Sequence, residues 1–447
     1  MRTLLVVFFL IFLSINVFPQ NEKMNLWKTP SYFRGFNVLW TKNRTYLDFI
    51  SLKYAGANFA YIGIDGFYNP SEPYSRNNSA VIATDSMTHA ARFVGLYYAI
   101  TLRSGPGRID VSLESHTGLK STVWNNPIEQ QLYAGMVAEI TKRYINDPYF
   151  VGIAPIMEPN PLFDKLYTTP DILDSLLKLN NIDANKFNQL ILDSIRKVSK
   201  DIPVILQCVA YSCPEFYSLM EINNDTNIVY EFHSYRPNEY VKDTNEYSLY
   251  YPGNYISFYN LSYKYHDKAY ISDSIYYRVR EFQKKSQAPV ILGEFGLTKR
   301  QNGGVQFLND ISNICIESGW HFAYWLWRDV SKYFNYEYFG GDYWKEVKAS
   351  FKATVDIKEN YTENSNIFCY PNPSADVLEI CTKNPDSEYI TLKLFDIFGK
   401  QIATVYNGFS EVNLSINFET EDIPSGTYFL VLSTTTEKTA YKISIIK

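Results

Sequence analysis

The chain has 447 residues, longer than one ordinary domain, so a large core with an appendage is expected. Hydrophobic residues make up 46% and charged residues 20%, the balance of a globular protein. The net charge is −5 with no basic block, which argues against a nucleic-acid partner.

In chain order, Met1-Arg2-Thr3 precedes the apolar run Leu4–Leu13. A positive start and a short apolar stretch read as a secretory signal peptide over residues 1–20, with cleavage near Gln20. The run is short for a membrane span. Strand and helix patterns then alternate through residues 25–355. Strands are predicted at Phe33–Leu39, Ala57–Ile64, Gly95–Leu102, Phe150–Glu158, Ile202–Val209, Asn227–His233, Ala288–Glu294 and Trp320–Trp327. Helices are clearest at Pro127–Ile145, Ala184–Lys200, Ser272–Lys285 and Gly304–Ser318. Asn125-Asn126-Pro127 supplies a cap and an early proline for the first of these. Eight such units in one block predict an α/β fold, a (β/α)8 TIM barrel, with a doubly wound open sheet as the rival. Over residues 366–447 the period falls to two, as in Tyr389–Phe395 and Thr427–Leu432, between Gly, Pro and Asn turns. That predicts a small all-β sandwich domain after the barrel.

Aromatic residues reach 17%, with 38 Tyr and 7 Trp. Such rings serve core packing, or stack on the apolar faces of sugars. The long connection Arg236–Tyr270 holds Tyr240, Tyr247, Tyr250, Tyr251, Tyr255, Tyr259, Tyr263, Tyr265 and Tyr270. It reads either as a glycan-stacking wall or as a self-packed lid. Cys208, Cys213, Cys315, Cys369 and Cys381 have no metal-site spacing. Cys208 with Cys213, or Cys369 with Cys381, are conceivable pairs, but mostly unpaired buried thiols are expected.

Two of the predicted strands end in a glutamate. Ile153-Ala154-Pro155-Ile156-Met157-Glu158-Pro159 and Pro289-Val290-Ile291-Leu292-Gly293-Glu294-Phe295-Gly296 each run apolar, then break into a loop. In a barrel this places both carboxylates at the C-terminal mouth, where catalytic groups sit. Two carboxylates facing each other there suit cleavage of a glycosidic bond.

Four strand ends resemble glycoside hydrolase family 5: Ile156-Met157-Glu158-Pro159, Tyr230-Glu231-Phe232-His233-Ser234-Tyr235, Leu292-Gly293-Glu294-Phe295-Gly296 and Tyr324-Trp325-Leu326-Trp327. The resemblance implies Glu158 as acid/base and Glu294 as nucleophile. It also implies His233 and Tyr235 as partners of that pair, and Trp325 as the floor of the sugar site, with Trp327 second. Glu231 reads as an interior polar group needing a partner, not as a catalyst. Trp124 and the loop Gly66-Phe67-Tyr68-Asn69-Pro70 are lesser sugar contacts. Three positions depart from the family: Met157 replaces its Asn, Tyr61 falls near its Arg, and Arg103 stands where a His is usual. In the tail, Tyr370-Pro371-Asn372-Pro373-Ser374, Leu394–Lys400, Ile423–Leu430 and Lys442–Lys447 resemble the C-terminal sorting domain of the type IX (Por) secretion system.

The expectation is therefore a retaining hydrolase of β-linked polysaccharide, β-mannan or β-glucan first. It has no metal or other cofactor and is expected to be a monomer. It would be exported through the periplasm to the cell surface or medium by outer-membrane secretion machinery. The departures at Met157, Tyr61 and Arg103 keep open an impaired barrel that only binds surface glycan.

Overall fold

The eight apolar runs become eight strands that close on one another. A computed structural model describes residues 22–446, except 41–43, 111, 113–119, 163–168, 259–261, 330–331, 353–366, 384–387, 397–399, 411–412 and 435–437. The signal-peptide segment and Tyr259 lie outside the described residues. Strand β1 spans Arg34–Leu39, β2 Phe59–Ile64, β3 Tyr97–Leu102, β4 Phe150–Ala154, β5 Val204–Gln207 and β6 Ile228–His233. A hairpin follows, β7 at Gly253–Ile256 and β8 at Tyr263–His266, then β9 at Val290–Phe295 and β10 at His321–Tyr324. The barrel order is β1-β2-β3-β4-β5-β6-β9-β10, with β10 pairing back in parallel onto β1. The open-sheet alternative is thereby excluded. Parallel strands are covered on both faces, so they read as continuous apolar runs.

The helices hold where local signals set them. Helix Pro127–Tyr144 is capped by Asn126, whose side chain accepts from the Ile128 and Glu129 amides. Helix Ala184–Val198 is capped by Asp183, which accepts from the Lys186 amide. The predicted helix Ser272–Lys285 is instead a wide turn at Ile271–Ile275 followed by a helix at Tyr277–Ser286. The Tyr276 amide donates back to Ile271 O at 3.0 Å, and Ile271, Tyr276 and Val279 are all fully buried. The extra residue in the turn keeps all three facing the core, which a regular helix would not. A short helix at Glu22–Lys28, unforeseen from the sequence, closes the end of the barrel opposite the mouth. Its Trp27 donates to Val151 O at 2.8 Å and packs on Phe33, Phe59 and His321.

The tail forms two antiparallel sheets. Strand β11 spans Ile367–Tyr370, β12 Val377–Lys383, β13 Glu388–Asp396, β14 Gln401–Ser410, β15 Asn413–Glu419, β16 Gly426–Ser433 and β17 Lys438–Ile445. The sheet orders are β11-β12-β15 and β14-β13-β16-β17. Leu378, Ile380, Ile390, Leu392, Leu394, Leu430, Ile443 and Ile445 form a core of its own. Tyr370 meets Phe93, at the C-terminal end of helix Asn78–Phe93, with ring centroids 5.4 Å apart. That helix end lies away from the mouth, because helices run antiparallel to the strands they follow.

Candidate active site

Strand β4 ends earlier than predicted, at Ala154, because Pro155 has no amide to continue the ladder. The chain then curls so that Glu158 sits at φ 48°, a left-handed backbone that a non-glycine residue adopts only when its surroundings hold it. Two contacts supply that hold. The Glu158 amide donates to Gln207 Oε1 at 2.6 Å, and Arg108 donates to the Met157 carbonyl. Glu294 lies within β9, beside a register shift where Phe232 pairs with Leu292 but His233 pairs with Glu294. Gly293 is the extra residue of this bulge, and bulges re-aim side chains at barrel rims.

His233 joins the two carboxylates. Its Nδ1 lies 2.9 Å from Glu158 Oε1 and 3.7 Å from Glu294 Oε2. Its Nε2 lies 3.0 Å from Glu231 Oε1. Tyr235 donates to Glu294 Oε2 at 2.8 Å, whereas the buried Glu294 Oε1 has no hydrogen-bond partner. One oxygen each of Glu158 and Glu294, together with a His233 nitrogen, lie within 4.8 Å of one another. Glu158 is the more open of the pair, its side chain 15% exposed against 4% for Glu294.

Burial comes first in the electrostatics, followed by the opposite charges of His233 and the glutamates. Burial pushes the Glu294 carboxyl up to about 8 and the Glu158 charge adds to this, while His233, Tyr235 and Arg103 pull it back. Burial disfavours a charged His233, but Glu294, Glu158 and Glu231 outweigh it and hold the imidazole well above its usual value. The Tyr235 hydroxyl is also held well above the ordinary phenol value, first by burial and then by Glu294.

The other expected contacts divide. Arg103 is ion-paired with Asp110, reaches Met157 Sδ at 3.3 Å and lies 5.9 Å from the Trp325 ring centre. Trp325 is half-buried at the end of β10, so Arg103 and Trp325 stand together at the mouth. Three expectations are corrected. Tyr61 is 1% exposed inside the barrel and donates to Glu231 Oε2 at 2.6 Å. Trp327 is 1% exposed and packs on Phe36 and Trp344. Trp124 is 5% exposed and packs edge-on against Phe187 in the helical layer. Tyr61 and Trp327 are walled in by the core, and Trp124 lines a cleft beside Phe187 and Gln207.

The described tyrosines of the connection after β6 divide between the core and the surface. Tyr240, Tyr251 and Tyr255 are buried and cluster with Phe307, while Tyr247, Tyr250, Tyr263 and Tyr265 remain exposed. All five cysteines are free thiols. Sequence reasoning missed Gln207 and Arg108. Gln207 carried a usable signal: it is a polar residue closing the apolar run Val204-Ile205-Leu206, the same pattern that marked both glutamates.

The profile described as Cellulase (glycosyl hydrolase family 5) matches residues 28–331, and the secretion system C-terminal sorting domain matches residues 369–447. The latter marks the protein for export to the cell surface or medium. No curated protein matches the chain in sequence. Among solved structures, the endoglucanase Cel5A of Thermotoga maritima superposes with a TM-score of 0.55 at 16% identity, covering 74% of this chain and 99% of that one. The cellulose synthase subunit Z of Clostridioides difficile gives 0.54 at 16% identity, covering 72% and 99%. The Thermotoga protein in complex with mannotriose gives 0.53 at 16%, covering 73% and 99%. At these identities the structural likeness speaks for the fold, while the family match over the whole barrel speaks for the chemistry: this chain is a glycoside hydrolase and belongs to glycosyl hydrolase family 5.

Proposed function

We propose that this is a retaining hydrolase of a β-linked polysaccharide, β-mannan or β-glucan. Glu294 attacks the anomeric carbon and forms a glycosyl ester as the glycosidic C–O bond breaks. Glu158 gives its proton to the leaving oxygen. A water then attacks the same carbon, its proton goes to Glu158, and Glu294 is released. The observation that carries this reading is the closeness of the two carboxyl groups, with an oxygen of each inside 4.8 Å. Retaining enzymes hold their carboxyls about 5–5.5 Å apart, whereas inverting enzymes need about 6.5–9.5 Å to admit a water.

Charge placement leaves one proton to be moved before the two roles divide. Burial favours a proton on Glu294 at neutral pH, whereas attack needs it ionised and Glu158 protonated. His233 Nδ1 faces both carboxylates and is placed to carry that proton across. Arg103 and Trp325 would meet the sugar at the mouth, and Tyr235 would hold Glu294 for attack. Export through the periplasm and action as a monomer complete the reading.

A chemical rescue separates the roles. Glu294→Ala should lose nearly all turnover, and azide should restore part of it as a glycosyl azide of inverted anomeric configuration. Glu158→Ala should spare activated aryl glycosides, which need no proton, and cripple substrates with poor leaving groups. Equal losses on both substrate types would refute Glu158 as the acid. A panel of gluco- and manno-oligosaccharides assigns the sugar. The second reading, a glycan-binding barrel without turnover, draws on Met157: a thioether cannot donate a hydrogen bond to a sugar hydroxyl. Binding without turnover on that panel would establish it.

A further inference from the structure

We infer that Glu231 is the positioning residue of the catalytic pair, a buried anion from which both the backbone and the side-chain partner of Glu158 are hung. This rests on the retaining reading above. Glu231 is fully buried on β6, below the mouth, so it touches no substrate. Three donors from three strands converge on its carboxylate. Tyr61 of β2 and Gln207 of β5 each donate to Oε2 at 2.6 Å, and His233 Nε2 lies 3.0 Å from Oε1.

Two of those donors lead straight to the acid/base. Gln207 gives its amide nitrogen to Glu231 and its oxygen to the Glu158 amide, so it fixes the left-handed backbone at Glu158. His233 gives Nε2 to Glu231 and turns Nδ1 to Glu158 Oε1. Glu231 therefore selects which imidazole nitrogen faces the mouth, and a carboxylate there favours a charged ring. The groups facing Glu231 are Tyr61, Gln207, His233, Gly293 beside Glu294, and Ser212 and Tyr217, whose hydroxyls donate to the Glu231 backbone carbonyl at 2.6 and 2.9 Å.

The sequence beside the nucleophile is built around this carboxylate. A Cβ on Gly293 would fall 1.6 Å from Glu231 Oε1, so only glycine leaves room for it. The bulge that aims Glu294 thus occurs where Glu231 occupies the space under β9. One buried side chain constrains both catalytic glutamates.

The isosteric change Glu231→Gln tests this. Its amide nitrogen must face some donor. Facing Tyr61 and Gln207 would forfeit two bonds, so it will face His233 Nε2 and force the ring proton to Nδ1, leaving a neutral imidazole. We expect kcat to fall about 100-fold, the loss typical of a small misplacement, with KM changed less than about twofold. The acidic limb of kcat/KM should move up by about one pH unit, because a charged His233 opposes protonation of Glu294. Gly293→Ala, which pushes on the same carboxylate, should reproduce the loss. An unchanged kcat and limb in folded Glu231→Gln would overturn the proposal. Nitrogen-15 NMR of the wild-type histidines gives a measurement that needs no variant. His233 Nε2 should carry a proton at pH 7, and an unprotonated Nε2 would refute the Glu231 contact. Failure of the azide rescue with Nε2 protonated would sink the retaining reading while leaving this hydrogen bond standing.

Discussion

Replacing Tyr235 by Phe removes one hydroxyl that donates to Glu294 Oε2 at 2.8 Å and leaves the ring in place. Glu294 Oε1 has no partner, so this is the hydrogen bond that most directly favours its ionised form. A hydrogen bond to a charged group is worth about 1.5–3 kcal/mol. At 1.36 kcal/mol per unit, its loss should raise the Glu294 carboxyl by about 1–2 units. The carboxyl starts near about 8, raised by burial. At pH 7 about one tenth of the molecules carry it ionised, and a one-unit rise leaves about one hundredth. Activity that requires ionised Glu294 should therefore fall about tenfold at pH 7 and recover towards the wild-type plateau at higher pH. The assay is the pH profile of kcat/KM on an aryl glycoside, which reports the free enzyme. A loss of equal size at every pH would refute the argument, since it would mean that Tyr235 acts on the sugar and not on the ionisation of Glu294.

Two further outcomes follow from the same features. Glu294→Gln should raise the melting temperature, and the gain should grow with pH. The folded carboxyl titrates above its unfolded value of 4.5, so the wild type loses stability as pH rises from there to about 8, and the variant escapes that loss. A pH-independent gain would contradict burial as the cause. Deleting residues 366–447 should leave the barrel folded with unchanged specific activity, because the tail has its own core and meets the barrel away from the mouth. In the native host the same deletion should trap the enzyme in the periplasm. Normal surface display with lost binding to insoluble polysaccharide would instead make the tail a binding module.

The eight strands were legible in the chain because a parallel strand covered on both faces must be a continuous apolar run. Both glutamates were legible because a charge ending such a run has nowhere to sit but the rim. The pairing of His233 with Tyr235 came from the family resemblance, and the structure places Tyr235 just beyond the end of β6. The misplacements have one cause. Tyr61, Trp327 and Trp124 carry the same side chains whether they face a sugar or fill a core, and composition does not distinguish the two. Their burial depends on which residues of other strands and helices stand opposite, and that is set by barrel closure and register. The same holds for the Tyr61–Glu231–Gln207–His233 network. Its members lie on three strands, β2, β5 and β6, and a one-residue bulge at Gly293 sets Glu294 beside one of them, His233. Local periodicity records how each segment is buried, so it suffices for the elements and their order. Convergence of side chains from different segments is a property of the closed barrel, and only the tertiary structure decides it.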